Sequence, residues 1–201
     1  MINLKLYSAH KKLCCILIIY LMLCYPTLSV SAQTWQPQVS GIGNSLHSVF
    51  FLDEFNGWAV GSYGAIVHTT NGGENWNQQT SGTNQDLNCV CFTDTATGWT
   101  CGSQGTILKT TDGGNSWTPQ NSFTVYELFS IDFTSASTGW VVGIGGTILK
   151  TTNGGSNWIP QNSPFSDIIT DVDFIDSLYG WAATSTSGAT EATIIKTTDG
   201  G

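Results

Sequence analysis

The sequence predicts an all-β fold, a β-propeller built of four-stranded antiparallel blades. Three observations carry the prediction. The stretch Gly57–Trp76, GWAVGSYGAIVHTTNGGENW, returns as Gly98–Trp117 and as Gly139–Trp158, and a fourth copy opens at Gly180-Trp181 and reaches Thr197-Thr198-Asp199-Gly200-Gly201. All eight tryptophans fall in two columns with a strict 41-residue step: Trp58, Trp99, Trp140, Trp181 and Trp35, Trp76, Trp117, Trp158. No segment carries the apolar period of a long amphipathic helix. A period of about 40 residues with β character points to propeller blades. The repeats divide the chain into units 35–75, 76–116, 117–157 and 158–201, the last incomplete.

Residues 1–32 stand apart. Lys5, Lys11 and Lys12 make a basic start, Leu13–Tyr25 is an apolar run, and Val30-Ser31-Ala32 offers small residues at a cleavage position. This pattern predicts a secretory signal peptide with Gln33 as the first mature residue. A spanning helix needs about 20 apolar residues, which the run does not supply. The chain is therefore expected to be exported, to the periplasm, the cell surface or the medium.

Each unit after the leader divides into short strands bounded by Gly, Asn, Asp or Ser. In the first copy they are Leu46–Leu52, Gly57–Gly61, Ala65–Thr70 and Trp76–Thr80, rich in β-branched and aromatic residues. On the first strand, Val49, Val90, Ile131 and Val172 form one column, and Phe51, Phe92, Phe133 and Phe174 a second column two residues later. Residues two apart on a strand share a face, so both columns are expected to point at one packing surface in every blade. The column between them, Phe50, Cys91, Asp132 and Asp173, is mixed and partly polar, as expected near a channel or a blade edge. Gly61-Ser62-Tyr63-Gly64 and Gly143-Ile144-Gly145-Gly146 read as hairpin connections between second and third strands. The fourth copy carries an insertion in that loop, within Thr184–Thr190, expected to project from the body.

After each third strand comes a compact motif. Its members are Thr69, Asn71, Gly73 and Trp76; Thr110, Asp112, Gly114, Ser116 and Trp117; Thr151, Asn153, Gly155 and Trp158; and Thr197, Asp199 and Gly201. An Asx side chain can accept hydrogen bonds from the following backbone N–H groups and hold a turn. Glycine supplies positive φ without a Cβ clash. The tryptophan covers the turn and anchors the fourth strand. Burying an indole removes roughly 150–250 Å² from water, about 4–6 kcal/mol gross as an upper bound. Calcium ligation or acid catalysis by Asp112 and Asp199 is the alternative. One active site does not need identical copies in every blade, so the structural reading is preferred.

This motif resembles the Asp-box, or bacterial neuraminidase repeat, with Asn75 and Asn157 departing from its hydroxyl position and Asn71 and Asn153 from its aspartate. In Asp-box folds it is the turn between third and fourth strands. With the GW(A/V)VG unit, the chain after the leader resembles the photosystem II stability and assembly factor family of propellers, a domain also found in secreted bacterial proteins. The resemblance implies a seven-bladed, non-enzymatic scaffold that binds a protein or a membrane-protein complex. The chain departs from the family in having about half the blades and no basic patch for a client. It is therefore expected to be a fragment of a larger propeller, an open arc cut at Gly201. Gln33-Thr34-Trp35 would complete the motif begun at Thr197, so the register also allows a closed four-bladed ring.

Composition narrows the function. The chain has a net charge of −8, with six basic residues, all lysine, against 14 acidic ones. After residue 32 only Lys109, Lys150 and Lys196 remain. Nucleic acid is not expected as a partner, because phosphate binding needs clustered Lys and Arg. A sialidase-type hydrolase grips its substrate carboxylate with arginines, and this chain has none. A carbohydrate-binding module using Tyr63, Tyr126 or Tyr179 on a cell-surface glycan is the remaining alternative. No catalytic residue and no cofactor is expected.

Cys89, Cys91 and Cys101 follow the leader, in oxidising surroundings if the chain is exported. Cys101 stands where other copies have Val60 and Val142, which reads as a buried thiol; a Cys91–Cys101 cross-strand disulfide is the alternative. A cation site is open at Asp171 and Asp173, facing Asp132. His68, Lys109, Lys150 and Lys196 read as solvated or stem-packed residues, and His47 as an ordinary loop-edge residue.

Overall fold

We analysed a computed structural model, which describes residues 34–185 and 193–201. The predicted signal peptide and most of the Thr184–Thr190 insertion lie outside the described residues. Gln38–Gly201 form one compact unit.

That unit consists of four successive antiparallel sheets. The first contains β1 (Leu46–Phe51), β2 (Gly57–Gly61), β3 (Ala65–Thr69) and β4 (Asn77–Thr80). The second contains β5 (Leu87–Phe92), β6 (Gly98–Gly102), β7 (Ile107–Thr110) and β8 (Thr118–Gln120). The third contains β9 (Leu128–Phe133), β10 (Gly139–Gly143), β11 (Ile148–Thr151) and β12 (Ile159–Pro160). The fourth contains β13 (Ile168–Phe174), β14 (Gly180–Ser185) and β15 (Ile194–Thr197). In every sheet neighbouring strands are consecutive in sequence, the meander of a propeller blade. The first strands β1, β5, β9 and β13 lie beside one another from blade to blade.

Aromatic stacking joins the blades. The Phe92 ring lies 3.6 Å from the Trp58 ring at 12°, Phe133 lies 3.6 Å from Trp99 at 9°, and Phe174 lies 3.5 Å from Trp140 at 6°. The first-strand phenylalanine of one blade therefore covers the second-strand tryptophan of the blade before it. The Gly-Trp pair follows from this geometry. A Cβ on Gly98 would come within 2.5 Å of the Phe92 ring, and Gly57, Gly139 and Gly180 stand in the same relation to Phe51, Phe133 and Phe174. The glycine leaves room for its own blade's phenylalanine, and the tryptophan beside it receives the next blade's. The other face of each indole is also covered. His68 stacks on Trp58 at 4.5 Å, and the Lys109, Lys150 and Lys196 ammonium groups lie 5.3, 5.4 and 5.3 Å over Trp99, Trp140 and Trp181.

The two apolar columns of the first strand do not behave alike in every blade. Val90, Phe92, Ile131 and Val172 are buried against the preceding blade, with Phe133 and Phe174 half-buried, but Val49 and Phe51 are exposed. Among the described residues the first blade has no sheet in front of it. The expectation of one buried surface in every copy is corrected accordingly.

The mixed column is also reassigned. Phe50 reaches the Phe92 ring at 6.4 Å, Cys91 joins the core between the second and third blades, and Asp132 Oδ2 accepts the Phe174 N–H at 2.8 Å. These side chains face the following blade.

Candidate functional site

The recurring motif is a self-contained hydrogen-bonded turn. In the first copy the Thr69 hydroxyl donates to Asn71 Oδ1 at 2.9 Å and accepts the Asn71 and Gly73 N–H groups at 3.3 and 2.9 Å. Asn71 Oδ1 in turn accepts the Asn75 N–H at 3.0 Å. Thr110 with Asp112 and Gly114, and Thr151 with Asn153 and Gly155, repeat the pattern within 0.1 Å. Thr197, Asp199 and Gly201 repeat its first half. Asparagine and aspartate are interchangeable here because only one side-chain oxygen is needed. Asp112 adds a 2.6 Å bond from the Ser116 hydroxyl, and with the Ser116 N–H this holds its carboxyl down at about 2. The threonine hydroxyl and the Asx side-chain oxygen of the motif are turned inward on the loop.

Two members of the motif escaped the sequence reading. The carbonyls of Gly113, Gly154 and Gly200, the first glycine of each pair, accept the indole N–H of Trp58, Trp99 and Trp140 from the preceding blade at 3.1, 3.1 and 3.0 Å. The fourth-strand glutamine also crosses the junction: Gln79 Nε2 donates to Gly113 O at 2.9 Å, and the Trp117 indole N–H donates to Gln79 Oε1 at 3.4 Å. Gln38 does the same for Gly72 and Trp76. Trp117 and Trp158 are buried between blades, while Trp76 is half-buried.

Among the described residues Cys89, Cys91 and Cys101 are free thiols. The residue opposite Cys101 is Cys89, because the register that pairs Phe92 with Gly98 places Cys91 opposite Trp99. A Cys91–Cys101 bridge is therefore replaced by three thiols, two of them, Cys91 and Cys101, buried in the core. Burial pushes the Cys91 and Cys101 thiols well up, which keeps them protonated. Of the carboxylates in the predicted cation site, Asp171 and Asp132 are engaged, and Asp173 is exposed. Asp171 accepts the Ser130 hydroxyl at 2.8 Å and Asp132 accepts a backbone N–H. Among the described residues no group of three or more His, Cys, Asp or Glu side chains converges to hold a metal ion. Burial raises the Asp132 carboxyl, and nearby Asp173 adds to the rise.

One end of the blades differs from this inward-turned character. It carries the turns after the second strands and the loops leading into the first strands, packed on one another. Tyr63 N–H donates to Asp86 Oδ1 at 2.8 Å, and Ser103 and Ile144 N–H groups donate to the Asp86 and Glu127 carbonyls. Glu127 Oε1 receives Asn88 Nδ2 at 3.0 Å and the Ser103 hydroxyl at 3.3 Å, which clamps the second blade to the third. His47 lies on β1 rather than on a loop edge. Its Nδ1 donates to the Leu87 carbonyl at 3.1 Å, and its Nε2 lies 3.1 Å from the Ser62 hydroxyl. It ties the first blade to the second.

On this scaffold sit exposed apolar groups: Tyr63, Phe123, Val125 and Tyr126. Tyr126 lies against the Gly145 turn, whose added Cβ would meet the ring at 3.3 Å. Tyr63 and Phe123 hold left-handed backbones, with φ of 58° and 57°. At the Phe123 position the first two copies have Gly41 and Gly82, each with φ of 76°. A phenylalanine there costs about 1–2 kcal/mol in backbone energy and returns no packing, being 73% exposed. A local rule broken without structural return makes Phe123 a candidate functional position. The substitution of Phe for Gly in a repeat column was a legible signal that the sequence reading did not use. Tyr179 is on the opposite end, beneath Lys196 at 6.0 Å.

Comparison with known proteins agrees with the geometry. A search of curated proteins finds no match. The solved structure titled "YCF48 bound to D1 peptide" is similar at 22% identity and a TM-score of 0.63, over 85% of this chain and 60% of that one. YCF48 from Cyanidioschyzon merolae is similar at 22% identity and a TM-score of 0.58, over 75% and 56%. This chain thus spans about 60% or less of the length of those two. An ancestral GH74 enzyme shares the fold at 20% identity and a TM-score of 0.64, over 85% of this chain and 25% of its own. The family model described as photosynthesis system II assembly factor YCF48 matches residues 27–118 and 82–161, and the chain belongs to that family of propellers.

Proposed function

We propose that this chain is an exported, non-catalytic scaffold that holds a polypeptide partner on the loop end marked by Tyr63, Phe123, Val125 and Tyr126. The observation that carries the reading is Phe123, an exposed aromatic side chain in a left-handed backbone where the first two copies have Gly41 and Gly82 and the fourth has Pro164. The YCF48 structure solved with a peptide supports a protein partner. Asp86, Glu127 and Asp167 flank the apolar groups, and the whole chain has no arginine. The partner therefore supplies positive charge and an apolar residue, the reverse of a client that docks on a basic patch.

The test is retention of synthetic peptides on the immobilised protein. Lysine-containing apolar peptides are expected to bind, weaken as salt rises, and lose affinity with Phe123→Ser and Tyr126→Ala. Binding that is indifferent to both substitutions refutes the site, and turnover of glycosides by the purified chain refutes the non-catalytic reading. A glycan array separates the carbohydrate alternative, which Tyr63 and Tyr126 on one end would serve by stacking on sugars.

A further inference from the structure

All the cysteines after residue 32 sit in the second blade, at positions where the other blades have none. Cys89 and Cys101 are directly opposed across β5 and β6. The equivalent opposed pairs are Ser48 and Val60, Ser130 and Val142, and Asp171 and Ala183. Only in the second blade are both members of the pair cysteine. Cys91 follows two residues after Cys89, where the sister blades have Phe50, Asp132 and Asp173.

Opposed residues on antiparallel strands share a face, and the three thiols all pack in the core between the second and third blades. Opposed Cα atoms stand about 4.5–5.5 Å apart, inside the roughly 4.4–6.8 Å that a disulfide spans. Opposed Cβ atoms are also about 4.5–5.5 Å apart, against roughly 3.5–4.5 Å in a disulfide, so a bridge must draw the strands slightly together. Cys91 is the wrong partner for either thiol. It shares a strand with Cys89, and it is diagonal to Cys101, a separation of about 7–8 Å that a disulfide does not span. The two opposed thiols differ in access. Cys101 is fully buried, whereas Cys89 is half-buried. Cys89 Sγ lies 3.8 Å from the Ile131 carbonyl oxygen, with the Ser48 and Ser130 hydroxyls beside it. Cys89 is therefore the thiol that a reagent from solvent reaches first.

We propose that Cys89 and Cys101 form a reversible disulfide, stapling β5 to β6, when the chain meets a small-molecule or protein disulfide. The Cys89 thiolate attacks one sulfur of that oxidant, forming a mixed disulfide and releasing one thiolate. The Cys101 thiolate then attacks Cys89 Sγ, and the second thiolate leaves. The two cysteines give up two protons and two electrons, and the oxidant takes them up as two thiols. Drawing the strands together strains the bridge, and strain makes a disulfide easier to reduce, so excess thiol reopens it. The staple lies just beneath the loop end. Cys101 precedes by two residues Ser103, whose N–H donates to the Asp86 carbonyl at 2.9 Å.

The test equilibrates the 201-residue chain with oxidised glutathione, blocks the remaining thiols in denaturant, and reads chymotryptic fragments by mass spectrometry. Oxidation should join the fragment ending at Phe92 to the one containing Cys101, with the block on Cys91. Excess reduced glutathione should separate them. Oxidation should also raise the melting temperature by about 5 °C in the wild type and in Cys91→Ala, and leave Cys89→Ser and Cys101→Val unchanged. Those last two variants carry residues that sister blades hold at the same positions, and the fragment map of the wild type needs no variant at all. A chain that forms no bridge, a bridge to any other cysteine, or a bridge that reduced glutathione does not open overturns the proposal. So does a bridge without the thermal shift.

Discussion

Gly98 and Phe92 compete for one volume, and that competition can be measured. Glycine inside a strand is ordinarily a weakness, and replacing it by alanine stabilises by roughly 0.5–1 kcal/mol when space allows. Gly98 has no left-handed backbone to protect, so only sterics oppose the change. A Cβ there would lie 2.5 Å from Phe92 Cδ1 and Cε1, and the ring cannot retreat because Trp58 stacks on its other face at 3.6 Å. Gly98→Ala is therefore expected to destabilise by about 1–3 kcal/mol, the usual cost of overpacking. Phe92→Ala should cost about 3–5 kcal/mol, since the ring is 4% exposed. In the double variant the new methyl enters the cavity left by the ring, so the combined loss should fall short of the sum by about 0.5–3 kcal/mol. Urea denaturation followed by far-ultraviolet circular dichroism reads all three. A stabilising Gly98→Ala, or strictly additive losses, would refute the account of why Gly precedes Trp in every blade.

Three further outcomes follow from the motif and the junctions. Thr110→Val keeps the shape but leaves the Gly114 N–H buried without its 2.8 Å acceptor, so a loss of about 1–3 kcal/mol is expected in chemical denaturation, whereas Thr110→Ser should change little. Asp112 is held at about 2, below its unfolded value, so its stabilisation is present above pH ~4 and lost as the pH falls through about 2. The melting-temperature gap between the wild type and Asp112→Asn should close over that window, and a constant gap would contradict the Ser116 interaction. Asp132 has the opposite sign. Its folded value is raised, mainly by burial, so stability should rise as the pH falls through that value towards the unfolded one near 3.9. Asp132→Asn should match or exceed wild-type stability at neutral pH and lose this rise, as thermal melts across acid pH would show.

Much of the fold was legible because it repeats. The two tryptophan columns and the Thr-x-Asx-x-Gly turn are local: Thr69, Asn71, Gly73 and Asn75 bond one another across four residues, a spacing that the chain itself imposes. The strands of the first blade were placed within a residue of their observed ends, because β-branched runs between turn residues are also local signals. The family resemblance rested on the same residues.

The junctions were not legible in the same way. Whether Phe92 meets Trp58, whether Cys101 lies opposite Cys89, and whether Gly113 offers its carbonyl to an indole depend on which residues of neighbouring strands and blades meet. A repeat gives every copy the same sequence cues for these contacts, but only the packed sheets decide what each copy touches. Val49 and Phe51 share the spacing of Val90 and Phe92, yet they are exposed, because burial belongs to the neighbour that covers a residue. Phe123 carried its signal in the sequence, as the one aromatic in a column that otherwise reads Gly41, Gly82 and Pro164. Its meaning came from the tertiary structure, which alone showed a strained, uncovered ring on the end of the blades. The sequence by itself thus determined the blade and its turn, since their bonds close within one repeat. The tertiary structure decided the junctions, the free faces and the candidate site, since those depend on contacts between residues a full repeat apart.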